Sequence, residues 1–458
     1  MFLQALFRNS RYVQYLSTIA AGFAPFTFAA CTAWPSPSLP LLTSSNSPIG
    51  ITLSHEEASW VAASLFLGII PGSIIQGLLL DKLGPKGLLQ LSSAVLFVPW
   101  IMIGFADSVP LLIAGRFISG LGCGITLSTT PIYICEIASN DIRGKLGVIA
   151  ALITTCGGVL VFSVGPFVGY TALTMICGIF PIILGVSMTF APESPYYLLK
   201  KGRQTDARTN LVRLCASSSN SDRILGEMNE TLRRDKADRS LIELLLTPNF
   251  RRSLLVVLGA KSISEFSGGY AITAYMQTIM EVSQSNLSPQ LSSVIYSLVQ
   301  IPAMILSSIL IDRLGRKPVF SISAFGACVS LLGEGTYFYL QGKVNLEAVA
   351  FIPITCLTLY RVLVSFGLSH LPYFLTGELF NTETKKVGGF IFGFYSGLVG
   401  FLNSKLFSTI TSAWGIYTSC WIFAGVCAVG VLFGLFFIPE TKGKTLGDIQ
   451  NSLSSTKE

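Results

Sequence analysis

Apolar stretches long enough to cross a bilayer recur along the whole chain, separated by short polar turns. Twelve such runs are legible, at about 11–33, 57–80, 88–106, 109–133, 145–169, 171–191, 252–282, 289–311, 318–339, 348–375, 386–412 and 415–438. Each approaches the roughly twenty residues that a helix needs to span the hydrocarbon core. Backbone amides in lipid need internal partners, so the runs predict helices. The pattern is that of an all-α membrane protein with twelve transmembrane helices. Between the sixth and seventh runs lies a polar segment, where "DARTNLVRLC" and "SDRILGEMNETLRRDK" have the spacing of short amphipathic helices. The chain thus divides into an N-terminal six-helix half (1–191), a linker (192–250), a C-terminal six-helix half (251–438) and a tail (439–458).

Composition agrees with lipid as the main solvent: 51% of the 458 residues are hydrophobic and 12% are charged. A soluble domain carries about twice that charged fraction. The net charge of +7 is a topology signal rather than the mark of an anionic partner. Lys82 and Lys86, Arg143 and Lys145, the linker, Arg313, Arg316 and Lys317, Lys385 and Lys386, and the tail place basic residues in every second loop. The alternate stretches 34–56 and 283–290 carry none, and Lys343 is the main exception. By the positive-inside rule both termini and the linker are expected in the cytoplasm, with the protein in the plasma membrane. A nucleic-acid partner gets no support from this distribution.

Other chemistries find little footing. The ten cysteines lie mostly inside the apolar runs without paired spacing, and there are only two histidines, His55 and His370. Neither a disulfide frame nor a metal site is expected, and no enzyme activity or cofactor. The first apolar run is too long for a cleavable signal peptide and leads into further spans. Asn286 opens a glycosylation sequon in a loop expected outside, whereas the Asn229 sequon falls inside.

The two halves echo one another. "DKLGPK" (81–86) follows the second run and "DRLGRKP" (312–318) the eighth. "YICEIASNDIRGK" (133–145) ends the fourth and "FLTGELFNTETKK" (374–386) the tenth, so Glu136 precedes Arg143 as Glu378 precedes Lys385. "PESP" (192–195) closes the sixth and "PETK" (439–442) the twelfth. Repeats of this size in a helical membrane chain mark a two-fold secondary transporter with its site at the midplane, between the halves. Asp81 and Asp312 stand where helices meet the cytoplasm. A carboxylate there accepts charge-assisted hydrogen bonds from arginines and from a helix N-terminus. With Lys82, Glu136, Arg143, Glu193, Arg313, Arg316, Glu378, Lys385 and Glu440 they form a candidate cytoplasmic gate. The plainer reading is a set of interfacial charges that snorkel and fix topology. For the glycines at 115, 120, 122 and 124, close helix packing is the favoured reading.

These motifs resemble the sugar porter family of the major facilitator superfamily. The resemblance covers nearly the whole chain and rests on "DRLGRKP", "GRFISGLGCG" (115–124), "PIYICEIA" (131–138), "PESP", "PETKGKTL" (439–446) and "LIELLLTPNFRRSL" (241–254). Within the family, "TAWPSPSL", "EEASWV" (56–61) and "LVQ" (298–300) look most like insect facilitated trehalose transporters. The resemblance implies alternating access, with a gate that latches the halves on the inside. Lys82, Pro85 and Lys86 depart from the family's basic pattern in the first copy, as Lys385 does in the second. Lysine lacks the planar fork of arginine, so a weaker latch is expected.

The resemblance also implies where cargo sits. Sugar porters hold it with amides, hydroxyls and aromatic faces, and amides suit hydroxyls because each both donates and accepts. The seventh-span pattern of two glutamines, Ser-Gly, asparagine and a tyrosine pair corresponds here to Ser264, Glu265, Ser267, Gly268, Tyr270, Ala274 and Tyr275. A span-five glutamine corresponds to Ala151, the span-ten tryptophan to Tyr373, and span-eleven polar positions to Ser396, Gly397 and Gly400. Gln300 keeps an amide in span eight. The expected site is Gln300, Ser264, Glu265, Tyr270, Tyr275, Tyr373 and Ser396. Glu265 has three readings: a paired structural charge, a substrate ligand or a proton site. Lys261 at i−4 is a candidate partner. Arg361, about 18 Å above Tyr373 on a straight helix, sits high for direct contact.

The expected function is facilitative transport of a neutral sugar, such as glucose or trehalose, by a monomer whose partners are the solute and the bilayer. The alternatives are transport of another polar solute or organic cation, proton symport through Glu265, or a non-transporting nutrient sensor.

Overall fold

The computed structural model describes residues 10–139, 141–215, 218–234, 243, 247–380 and 382–442. The side chains of Asp312 and Lys385 lie outside this description. Among the described residues, ten helices are long and apolar enough to cross a membrane. One of them, α3 (His55–Gly104), has 50 residues and doubles back at Gly84, whose φ of 74° lies in a region that favours glycine. Counting it as two legs and adding the broken pair α10 (Pro248–Phe266) and α11 (Gly269–Ser283) gives twelve crossings.

In the N-terminal half, α1 (Ser10–Ala33) continues through Trp34 into α2 (Pro35–Thr43). The prolines at 35 and 37 sit in its first turn, where a missing N–H is tolerated. The stretch expected as a loop after the first span is therefore helical and mostly buried at its start. A capping box opens α3: Ser54 N donates to Glu57 Oε2 at 2.9 Å and Glu57 N to Ser54 Oγ at 3.3 Å. The half is completed by α4 (Val109–Ile137), α5 (Arg143–Val164) and α6 (Tyr170–Phe190). Helices α3 and α4 pack backbone to backbone. A Cβ at Gly68 would strike the carbonyl of Phe117, and one at Gly120 that of Leu65. This is the close packing expected of the glycine stripe.

Short helices α7 (Pro195–Lys200), α8 (Gln204–Cys215) and α9 (Ser218–Arg234) form the linker. The second half adds α12 (Pro289–Leu298), α13 (Gln300–Leu314), α14 (Arg316–Leu340), α15 (Ile352–Phe366), α16 (Leu371–Leu379), α17 (Thr382–Trp414) and α18 (Ile416–Phe436).

The halves meet along α3 and α17, where Lys405 Nζ donates to Ser59 Oγ at 2.6 Å and Trp60 lies 6.0 Å from Phe401. At the end away from the linker, α2 closes on α11 through Gln277 N and Ser36 Oγ at 3.1 Å.

Candidate substrate site and charge clusters

The site forms where helices of the second half break. Gly268, with φ 96°, separates α10 from α11. Non-helical backbone at Gly367 separates α15 from α16. Breaks at this depth free carbonyls that lipid cannot satisfy, and neighbouring side chains supply the donors. Asn403 Nδ2 donates to Glu265 O at 2.8 Å and Tyr360 OH to Ser267 O at 3.0 Å. Ser307 Oγ donates to Phe366 O at 2.7 Å and Ser323 Oγ to Leu363 O at 2.5 Å.

On the last turn of α10, Lys261 and Glu265 form a buried ion pair at i,i+4 spacing. Both side chains are almost wholly buried. Lys261 Nζ also donates to Tyr373 OH at 3.1 Å. Its ammonium lies 4.7 Å from the Tyr373 ring centre, 5.5 Å from Phe392 and 5.7 Å from Tyr270. Three aromatic faces therefore cage a cation that a carboxylate neutralises. The paired reading of Glu265 is the one the geometry carries.

Gln300 opens α13 and is 5% exposed. Its Oε1 accepts from Arg361 Nη2 at 2.6 Å, and the Arg361 guanidinium lies 5.5 Å from the Tyr296 ring. Arg361, expected to sit high for direct contact with Glu265, instead meets Gln300, while Glu265 takes Lys261 as its partner.

The remaining expected residues divide. Tyr270 packs on Phe66 at 4.8 Å and on Phe28 at 6.2 Å, both from the first half. Ser264 is buried beside Glu265. Ser396 Oγ is committed to its own helix, donating to Phe392 O at 2.7 Å. Tyr275 packs on Phe407 at 5.2 Å, toward the C-terminal end of α17. Sequence reasoning missed Phe392, Tyr296, Tyr360 and Asn403. The first sits one turn before Ser396, a spacing that could have flagged it; for the others an isolated polar or aromatic residue in an apolar run gives no such signal.

The charge clusters lie at the linker end. In the second half, Arg316 donates to Glu378 Oε1 through Nη2 at 2.7 Å and Nε at 3.1 Å, and Thr441 Oγ1 donates to Glu378 Oε2 at 2.6 Å. Glu440 accepts from the N–H groups of Arg316 at 3.1 Å and Lys317 at 3.3 Å, at the start of α14. That is a carboxylate on a helix N-terminus. The Arg313 carbonyl accepts from Lys442 Nζ at 2.6 Å. In the first half, Glu193 Oε1 accepts from the N–H of Ser194 at 2.9 Å and of Lys86 at 3.4 Å. Burial pushes the Glu193 carboxyl up, and those N–H groups pull it back. Asp81 pairs with Lys200 at 2.8 Å, and Tyr197 OH donates to the Lys82 carbonyl at 2.6 Å.

Where Arg316 stands in the second cluster the first has Pro85, which offers Glu136 no side-chain donor. Arg143 is exposed and makes no ion pair among the described residues. Each ion pair named here joins residues within one half or between a half and the linker.

Two six-helix halves, broken helices in the second half and paired charge clusters are the architecture of a two-fold secondary transporter. A family model described as "Sugar (and other) transporter" matches residues 15–453. The chain belongs to that family, whose members are transporters and not enzymes. It is similar to the facilitated trehalose transporter Tret1 of Bombyx mori, at 28% identity over 97% of this chain and 87% of the relative. The Tret1 protein of Polypedilum vanderplanki is 28% identical over 96% of this chain and 88% of its own length. Among solved structures, the proton:xylose symporter XylE bound to 6-bromo-6-deoxy-D-glucose superposes with a TM-score of 0.81 at 20% identity, covering 97% of this chain and 100% of that one. A partially occluded inward-open XylE from E. coli gives 0.79 at 21% identity, covering 94% and 99%. These structures confirm the fold expected from the sequence.

Proposed function

We propose that the chain carries a neutral sugar, glucose or trehalose, down its gradient by alternating access. The observation that supports this best is that buried polar and aromatic side chains gather near helix breaks of the second half: Tyr373 and Tyr270 around the Lys261–Glu265 pair, and Gln300 with Arg361. Gln300 contributes an amide for hydroxyls, and Tyr373 an aromatic face. The linker end faces the cytoplasm, Asn286 carries a glycan on the outside, and the carrier acts as a monomer in the plasma membrane. Contacts of α2 with α11 and of Ser59 with Lys405 close the outer entrance. The charge clusters tighten against one another when the inner side shuts.

An organic-cation cargo is disfavoured because Lys261 already occupies the Glu265 carboxylate. The same pairing weighs against proton symport through Glu265.

Expression in cells that lack hexose uptake tests the reading. Uptake of labelled glucose or trehalose, without stimulation by external acid, is expected. A surface-expressed protein that moves no sugar across a broad panel would overturn it. Binding without flux would instead establish a sensor.

A further inference from the structure

Around the helix breaks of the second half sit two cations, Lys261 and Arg361, and the carboxylate of Glu265; the other buried carboxylate of this half, Glu334, lies near Cys356 and Cys420 and makes no ion pair with either cation among the described residues. Lys261 and Glu265 neutralise each other, whereas Arg361 has no carboxylate partner among the described residues. A guanidinium is always charged, and an uncompensated charge in a membrane interior is expensive and marks a functional site. Its surroundings do not quench it: Gln300 offers a neutral oxygen and Tyr296 a ring face. Two donors next to each other are left over. Arg361 Nε and Gln300 Nε2 are both buried, and neither has a hydrogen-bond partner. Buried donors are nearly always paired, so the two call for an acceptor. A sugar hydroxyl would satisfy one N–H but leave the charge; a carboxylate accepts from both groups and cancels it, which is the strong form of arginine recognition.

The geometry points to a site that, besides neutral sugars, binds and carries sugars with one carboxylate, of the uronate or aldonate class, held by Arg361 and Gln300. This rests on the sugar-transport reading and narrows its substrate class. The hydroxyl-bearing end of such a solute faces Tyr373 and Tyr270, and the caged Lys261–Glu265 pair stays structural. Organic cations are repelled by Arg361.

The test uses the purified full chain in proteoliposomes, with labelled D-glucose and labelled D-glucuronate, and D-gluconate and lactate as unlabelled competitors. D-glucuronate should enter, and should inhibit glucose uptake about 10-fold or more below the concentration at which glucose itself does, since hydrogen bonds to charged groups are the stronger ones. Lactate should compete poorly. Arg361→Gln should lower the glucuronate-to-glucose uptake ratio about 10-fold or more, and Arg361→Lys, which keeps the charge but not the fork, should restore part of it. Glucose uptake with no glucuronate entry or competition overturns the inference and leaves the sugar reading standing. No flux of any sugar, acid or neutral, overturns both. Competition by lactate equal to that by glucuronate overturns the sugar-acid class. A ratio unchanged in Arg361→Gln removes Arg361 from the site. The wild-type competition data decide the matter even if the variants do not fold.

Discussion

The two halves carry echoing motifs yet divide the labour unequally. In the first half the first span bends between α1 and α2, and there Trp34 N still bonds Ala30 O at 2.9 Å. In the second, α10 stops at Gly268 and α15 at Gly367, and polar side chains gather at both places. In the proposed site the polar groups thus come from the second half, while the first contributes Phe28 and Phe66 packed against Tyr270. The linker-end clusters differ in the same direction. Glu440 and Glu193 each accept from N–H groups opening the next leg, and the second cluster adds an arginine fork on Glu378 from Arg316, where the first has Pro85. A duplicated fold can keep a backbone device in both copies while side-chain devices specialise.

The largest expected effect probes the core of the second half. Glu265→Gln leaves Lys261 buried beside aromatic rings without its carboxylate, and removing one partner of a buried pair costs about 3–5 kcal/mol. The thermal midpoint of the purified protein in detergent should fall sharply, and the double change Lys261→Met with Glu265→Leu should recover most of it. A midpoint that does not move for the single change would mean that the ion pair does not organise this half.

Next comes the asymmetry of the clusters. Arg316→Ala removes charge-assisted bonds worth about 1–2 kcal/mol in a two-state balance, so sugar uptake should slow about 5–30-fold. The converse, Pro85→Arg, places a guanidinium at the position equivalent to Arg316 and should slow uptake by a smaller factor by holding the inner side shut longer. Equal and negligible effects would reduce both clusters to topology charges.

A smaller effect is expected at Tyr373→Phe. It deletes only the hydroxyl that accepts from Lys261, a hydrogen bond worth about 1 kcal/mol, and should change the apparent affinity for sugar about 5-fold. The smallest is Asn286→Gln. Asn286 is exposed between α11 and α12, so the change should abolish a glycosidase-sensitive shift in gel mobility and leave uptake as it was.

Much of this division was legible in the sequence. Run length and repeated motifs gave the spans and the halves, because both depend on local composition. The Lys261–Glu265 pair was legible for the same reason, since four residues on a helix fix a neighbour. Gln300 with Arg361 was not. The two lie 61 positions apart, and their meeting depends on where α15 ends, a break kept by Ser307 and Ser323 from other helices. Nor could an apolar run announce that Asn403 would serve the carbonyl of Glu265. Ser396 and Tyr275 show the opposite limit: residue type and register pointed to the site, but one hydroxyl turns back on its own helix and the other ring packs on Phe407.

Buried Arg116, in the "GRFISG" stretch of α4, ties together parts of the first half that are distant in sequence. Its Nη1 donates to Cys31 O at 2.6 Å and its Nε to Val61 O at 3.1 Å, with Trp34 5.3 Å from the guanidinium. The Cys31 carbonyl is open because the residue four further on is Pro35, which has no N–H to give it. One side chain therefore bolts α1, α3 and α4 at the bend between α1 and α2. Rocking transmits force only if the moving body does not yield internally. By stiffening the half at its weakest joint, Arg116 makes it a single lever arm, so that a displacement at the linker end reappears, undamped, at the outer mouth.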